Sequence, residues 1–191
     1  MRLIVAITGA SGAIYGVRLL EALRKAPKVE VHLVISKTGR LTVALETGRT
    51  VREVEKLAHQ VHRDQDLAAS ISSGSFKTAG MIVAPCSMKT LSGIVNSYSD
   101  NLVVRAADVV LKERRKLVLM PRETPLHLGH CRLLVRAAEM GAIIAPPMPA
   151  FYNAPRTLQD AVDHSVGRVL DLFDIDSALV RRWKGRQQGS K

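Results

Sequence analysis

The chain has 191 residues, 47% of them hydrophobic and only 4% aromatic, and its 28 Lys and Arg against 17 Asp and Glu leave a formal net charge of +11. That length suffices for one domain with a real core, and no apolar stretch reaches the ~20 residues that a membrane-spanning helix needs. So few aromatic side chains, with cations spread along the chain, argue against a nucleic-acid platform and leave solubility and a few functional cations as the expected role of the charge.

The first element is an apolar run, Leu3–Thr8, read as a strand. It runs into Gly9-Ala10-Ser11-Gly12 and then a helix-like segment, Ile14–Lys25. A short N-terminal run leading straight into Gly-Ala-Ser is not the pattern of a signal peptide. With only two cysteines, Cys86 and Cys131, and no disulfide framework, the expectation is a reducing, cytoplasmic setting. Further on, Val29–Ser36, Gly80–Pro85, Lys116–Met120 and Ala142–Ala145 read as strands, and Arg40–Thr47, Lys89–Ser97, Asn101–Lys112, Leu126–Met140 and Leu158–Phe173 as helices. The stretch from Val51 to Phe76 is less regular, with a short helix and short strands expected around His59–His62 and Leu67–Ile71. Alternation of this kind predicts an α/β fold with a mostly parallel sheet and helices on both faces. Residues 1–180 are taken as one domain and 181–191 as a basic tail whose Trp183 is a contact candidate.

In such a fold ligands bind outside the carboxyl ends of the strands. The residues there are Gly9, Ala10 and Ser11; Ser36, Lys37 and Thr38; Cys86, Ser87, Met88, Lys89 and Thr90; Arg122, Glu123 and Thr124; and Pro146 to Tyr152. Small residues let a backbone approach an anion, and hydroxyls, helix N–H groups and cations together make a phosphate site. Any one of the serines alone is as well explained as a helix cap; their recurrence after separate strands is the signal. Gly9 to Ile14 does not fit G-x-G-x-x-G, Ser36-Lys37 stands where a ribose-binding acid is expected, and no P-loop pattern is present. That disfavours NAD and leaves a mononucleotide such as FMN. His127, His130 and Cys131 resemble a metal cluster but lack further ligands at usable spacing, so they are read as a helix N-terminus and no metal is expected.

Thr8-Gly9-Ala10-Ser11-Gly12, Ala84-Pro85-Cys86-Ser87-Met88-Lys89-Thr90-Leu91, Asp100 to Val109, Pro121-Arg122-Glu123-Thr124-Pro125-Leu126 and Pro146 to Tyr152 resemble the corresponding stretches of the UbiX-type flavin prenyltransferases, in older usage phenylacrylic acid decarboxylases. The resemblance runs from Met1 to the tail. The related cysteine decarboxylases carry Pro-Ala-Ser-Ala-Asn-Thr where this chain has Pro85-Cys86-Ser87-Met88-Lys89-Thr90, and their Pro-x-Met-Asn motif has no counterpart here.

The resemblance implies a Rossmann-like (flavodoxin-like) three-layer sandwich with FMN at the carboxyl edge of the strands. It implies transfer of the dimethylallyl group of dimethylallyl phosphate to N5 and C6 of reduced FMN, without a metal. The product would serve a UbiD-type decarboxylase, in quinone synthesis or aromatic-acid breakdown, and the enzyme would be a homo-oligomer, dodecamer-like, with sites at subunit junctions. By the same resemblance Gly9, Ala10, Ser11, Ser36, Ser87, Met88, Lys89, Thr90 and Arg122 would hold FMN. Glu46, Lys112, Arg122, Glu123, Tyr152 and Arg168 would surround the isoprenyl phosphate, with Ser11, Glu46, Lys112 and Glu123 catalytic. Lys112, Glu46 and Arg168 rest on the resemblance alone, since local sequence reads them as helix-end or surface charges. The alternatives are an FMN-dependent decarboxylase acting directly on an aromatic acid or a cysteinyl peptide, and a non-catalytic flavin-binding accessory protein.

Overall fold

The structure, a computed structural model, describes residues 1–180 together with Arg182 and Gly185. The contact expected of Trp183 lies outside the described residues. The elements are β1 (Arg2–Ile7), α1 (Ala13–Arg24), β2 (Glu30–Ile35), α2 (Lys37–Glu46), α3 (Val51–Glu55), β3 (Gln60–His62), β4 (Gly80–Cys86), α4 (Met88–Val95), α5 (Leu102–Lys112), β5 (Lys116–Pro121), α6 (Leu128–Glu139), β6 (Ile143–Ile144) and α7 (Leu158–Asp171). The strands form one six-stranded sheet in the order β3-β2-β1-β4-β5-β6, and every pairing is parallel. This is the expected Rossmann-like α/β architecture.

Both faces of the sheet are covered, as an all-parallel sheet requires. Leu3, Val5 and Ile7 of β1 point to one side, where Val17 and Leu20 of α1, Val43 of α2 and Val166 and Leu170 of α7 close the core. Ile4 and Ala6 point to the other, against Leu91 and Ile94 of α4, Val103 and Ala107 of α5 and Ala137 of α6. Chain progress reverses between β1 and β4. The helix after β1 turns to the first face and the helix after β4 to the second, so a crevice opens at the carboxyl ends of these two strands.

Two helix starts move by more than one residue relative to expectation, and in each a side chain sets the boundary. Ser36 accepts from Gly39 N at 3.0 Å and starts α2 at Lys37 rather than Arg40. His127 Nδ1 accepts from Gly129 N at 3.0 Å and caps α6, which therefore starts at Leu128 rather than Leu126. The segment Leu67–Ile71 is not a strand. Asp66 turns the chain by accepting Ala68 N on its carboxylate, and a 3₁₀ turn follows at Ser70–Ser72 that buries Ile71 alone.

α1 lies close over the sheet because Gly16 has no side chain. A methyl there would overlap the Ala84 carbonyl oxygen and fall 2.7 Å from Ile7 Cγ1. Gly16→Ala is therefore expected to cost about 1–3 kcal/mol through forced separation of α1 from the sheet. Thermal unfolding should show a Tm lower by several degrees; an unchanged Tm would contradict the close packing.

His32 on β2 and His62 on β3 are both buried, with His32 Nδ1 2.9 Å from His62 Nε2 and His32 Nε2 3.1 Å from a Glu30 carboxylate oxygen. Burial pushes both imidazoles below their ordinary value. Glu30 pulls His32 back up while Arg2 and His59 add to the lowering; His32 lowers His62 and Asp66 raises it. The folded pair is thus held neutral, while the unfolded chain takes up protons near the ordinary value of about 6.5. The contribution to stability is complete above that value and is lost as pH falls below it. Tm should drop between pH 7.5 and 5.5, and drop less steeply in His62→Gln; identical slopes would contradict the account.

Candidate active site

The floor of the crevice is a single threonine. Thr8, at the end of β1, is fully buried. Its hydroxyl donates to the Pro85 carbonyl at 2.7 Å and accepts Ser87 N at 2.8 Å, while Thr8 N donates to the same Pro85 carbonyl at 3.2 Å. The loop after β1 and the loop after β4 are thereby fixed to one another. Gly9 packs on the side chain of Thr38, which a Cβ would overlap, so the turn after β1 is also seated on the start of α2. The need for glycine at position 9 is met by this internal contact. Gly12, at φ +101, takes the left-handed conformation that admits the chain into α1.

The N-terminus of α1 is closed by a side chain of the protein itself. One carboxylate oxygen of Glu46, the last residue of α2, accepts Gly12 N at 2.8 Å and Ala13 N at 3.0 Å, and Ser11 hydrogen-bonds to the same carboxylate. Burial pushes the Glu46 carboxyl up. The N–H groups of Ala13 and Gly12, the Ser11 hydroxyl and the charge of Arg122 outweigh it and hold the group below the ordinary carboxylate range. Glu46 is therefore ionised at neutral pH. This corrects the phosphate reading of the first turn, because the helix end that would receive a phosphate already holds an anion. Tyr15, one turn into α1, belongs to the same corner. Burial raises its phenol and the nearby charge of Arg122 lowers it. Tyr15 escaped sequence reasoning because an aromatic one turn into an amphipathic helix reads simply as core.

Two further helix ends lie beside this corner, and the Lys37 N–H at the start of α2 donates to the Asp64 carboxylate. Ser36 caps α2, and Ser87 caps α4 by accepting Thr90 N at 3.2 Å while its hydroxyl donates to Thr90 Oγ1 at 3.1 Å. Both caps open into one cavity of about 650 Å³, where Lys37, Thr38 and Lys89 also stand. First-turn N–H groups have no partner within their own helix and carry the positive end of its dipole. Two such ends, hydroxyls and two lysines make a cradle for a dianionic phosphate.

The remaining candidates are distributed. Arg122 leaves β5, with its N–H donating to the Cys86 carbonyl at 3.3 Å, and its charge reaches Glu46 and Tyr15. Glu123 is exposed and its carboxylate accepts the N–H of Thr124 at 3.0 Å, so it does not touch Ser11; Glu46 does. Met88 packs partly on the second-face core. Tyr152 and Arg168 flank His164 on α7: the Tyr152 hydroxyl is 3.4 Å from His164 Nε2, and Arg168 borders a cavity with Met120, Met148 and His164 while pairing with Asp171 at 3.0 Å. Lys112 stands apart. It ends α5, which runs back toward the amino edge of the sheet, and it pairs with Glu113 at 2.5 Å beside Gly74. Within one chain it is not brought to the crevice.

Among the described residues no group of three or more His, Cys, Asp or Glu is arranged to hold a metal ion, and no helix is long and apolar enough to cross a membrane. Several large apolar side chains are exposed, among them Leu41 and Leu45 of α2, Met148, Phe151 and Leu158, the last at 89%. Apolar patches of this kind mark surfaces that another molecule covers.

Comparison with known proteins places these features. The Flavoprotein family model matches residues 1–182. The Flavin prenyltransferase UbiX of Salmonella typhimurium is 62% identical over 186 residues, which is 96% of this chain and 98% of that protein. Among solved structures, the dodecameric FMN-dependent UbiX-like decarboxylase from Escherichia coli O157:H7 superposes with a TM-score of 0.95 at 57% identity, covering 97% of this chain and 100% of that one. AnUbiX (PadA1), solved in complex with FMN and dimethylallyl pyrophosphate, also gives 0.95, at 50% identity, over 97% of this chain and 98% of its own. With a strand order that opens its crevice at Thr8 and relatives this similar over nearly their whole length, the chain belongs to the Flavoprotein family and, within it, to the UbiX flavin prenyltransferases.

Proposed function

We propose that this flavin prenyltransferase binds reduced FMN across the β1/β4 crevice and joins to its N5 and C6 the dimethylallyl group of dimethylallyl phosphate, releasing phosphate. The observation that supports this most is the pairing of an open phosphate cradle, at the starts of α2 and α4, with the Ser11–Glu46–Arg122 corner beside it. FMN fits the chemistry of these residues: Ser36, Ser87, Lys89 and Thr90 would supply donors to its phosphate, and Gly9, Ala10, Ser11, Met88 and Arg122 would hold the rest of the flavin. Reduced FMN supplies the two nucleophilic ring positions.

The chain's residues supply positioning, charge and proton handling. Ionised Glu46 accepts from the Ser11 hydroxyl and so fixes its direction, and a proton released at the flavin edge has Ser11 Oγ as its first acceptor. Glu123 serves the same edge once its exposed loop is covered. The departing phosphate takes the electron pair of the broken C–O bond, and Arg122, Arg168, Lys112 and a hydrogen bond from Tyr152 offset the charge that develops. Because these cations answer the whole charge of a monophosphate, no metal is required. Phe151, Tyr152 and Met88 exclude water from the allylic group.

Lys112 reaches such a site only from a neighbouring copy, so the enzyme is a homo-oligomer with shared sites. The exposed Leu41, Leu45 and Leu158 support that reading, as does the dodecameric relative. The prenylated flavin then passes to a UbiD-type decarboxylase. The relative described as a decarboxylase keeps a second reading open to test, in which CO₂ is released directly.

Incubating the protein without oxygen or Mg²⁺ with reduced FMN and dimethylallyl phosphate should raise the flavin mass by one C5 unit. An unchanged flavin, or CO₂ released from an aromatic acid by this protein alone, would overturn the proposal. Glu46→Gln keeps an oxygen for Gly12 and Ala13 but removes the charge beside Ser11, so kcat should fall by about 10²–10⁴ with FMN affinity little changed; full activity would remove Glu46 from the chemistry. Co-expressing Lys112→Met with Glu46→Gln should restore measurable activity absent from either variant, because shared sites pair an intact Lys112 with an intact Glu46. No recovery would place both residues in one chain's site.

A further inference from the structure

A histidine of α7 holds the turn that carries Tyr152. The short 3₁₀ turn Phe151–Asn153 brings two consecutive side chains to one imidazole. Asn153 Nδ2 lies 2.9 Å from His164 Nδ1, and the Tyr152 hydroxyl lies 3.4 Å from His164 Nε2. Each ring nitrogen thus meets a side chain of the same turn. The Tyr152 ring stands edge-on to the imidazole, with centroids 5.9 Å apart and planes at 87°. Arg168 follows His164 four residues later on α7, and both border the same cavity of about 330 Å³. Positions four apart share a helix face. His164 therefore fixes Tyr152 on the side of α7 that also bears Arg168. At 3.4 Å the Tyr152 contact is long, of the kind that tightens when substrate is bound.

The direction of these hydrogen bonds follows from the groups themselves. Burial above all, and then the charge of Arg168, push the His164 imidazole below its ordinary value, with Asp171 opposing. At neutral pH the ring is neutral and carries one N–H. An amide nitrogen only donates, so Asn153 Nδ2 donates to Nδ1 and the ring proton stands on Nε2. Nε2–H then donates to the Tyr152 hydroxyl oxygen, and the phenol's own proton points away from the imidazole. The other tautomer would accept the Tyr152 proton and turn it inward. An ionised phosphate oxygen only accepts, so a phenol that serves it must donate. We propose that His164 is a positioning residue for prenyl transfer, which donates to the Tyr152 oxygen and so directs the Tyr152 proton outward, to the departing phosphate. A hydroxyl aligned beforehand meets the charge that grows as the C–O bond breaks without having to reorient.

The inference rests on the reading that Tyr152 donates to the isoprenyl phosphate. Steady-state rates with dimethylallyl phosphate and saturating reduced FMN test it in the full chain. The variants are Tyr152→Phe, His164→Asn, His164→Gln and Tyr152→Phe/His164→Asn. Gln carries an N–H out to the Nε2 position, whereas Asn reaches only as far as Nδ1. His164→Asn should lower kcat/KM about tenfold with FMN affinity changed less than about twofold, while His164→Gln stays within about threefold of wild type. In the Tyr152→Phe background the Asn substitution should cost less than about twofold more, because the hydroxyl it acts through is gone. An unchanged rate in His164→Asn, equal losses in both backgrounds, or a Gln variant no better than Asn would overturn the inference and leave Tyr152 in its role. Tyr152→Phe at full rate would instead overturn the phosphate role of Tyr152, and the inference with it. Thermal unfolding identifies a misfolded variant, and His164→Leu, which also lacks an N–H at the Nε2 position, then decides the same comparison.

Discussion

The Thr8 side chain is the joint on which the site is assembled. In a doubly wound sheet the crevice between the strands where progress reverses is a gap that the architecture opens. Here the loops on either side of the gap are bolted together by the Thr8 hydroxyl, which donates to Pro85 and accepts from Ser87. Both partners are backbone groups, and Thr8 is fully buried, so the positions of the turn after β1 and of the start of α4 are fixed together. Ser87 presents its cap, and Gly9 rests on Thr38, on loops that Thr8 ties together.

From this joint follows a division of labour among three helix ends that begin as chemical equals. Each carries unpaired N–H groups and a positive dipole end. α1 is neutralised internally by Glu46, which turns the first loop from an anion receptor into a place where an ionised carboxylate directs a serine hydroxyl. α4 is capped by its own Ser87 and α2 by its own Ser36, with the Lys37 N–H also donating to the Asp64 carboxylate. One repeated element thus meets different side chains at each of its three occurrences. The difference suits a ligand that is anionic at one end and reactive at the other.

Much of this was legible in the sequence. Apolar runs alternating with amphipathic segments gave five of the six strands and the order of the main helices, because a parallel sheet buried on both faces leaves continuous apolar runs that stand out from their surroundings. The short strand expected around His59–His62 is β3, Gln60–His62, whereas the 67–71 stretch misled because a buried Ile71 in a serine-rich turn imitates an edge strand. At the site, Ser36 and Ser87 were recognisable by their position after strands. The carboxylate that occupies the first helix end was not, since Glu46 lies 33 residues after Ala13 and meets it only through tertiary folding. Tyr15 was invisible for the same reason: its environment comes from Arg122, far along the chain. Lys112 shows the opposite limit, as a residue named by resemblance that a single chain leaves at the other edge of the sheet.

The central claim is that the flavin phosphate goes to the starts of α2 and α4 and not to the first turn. A crystal structure of the protein with FMN bound tests it most directly. The account predicts a phosphate within hydrogen-bonding distance of Ser36, Ser87 and Thr90, with Glu46 still accepting from Gly12 and Ala13. A phosphate seated on the Gly9–Gly12 turn, with Glu46 displaced, would contradict it.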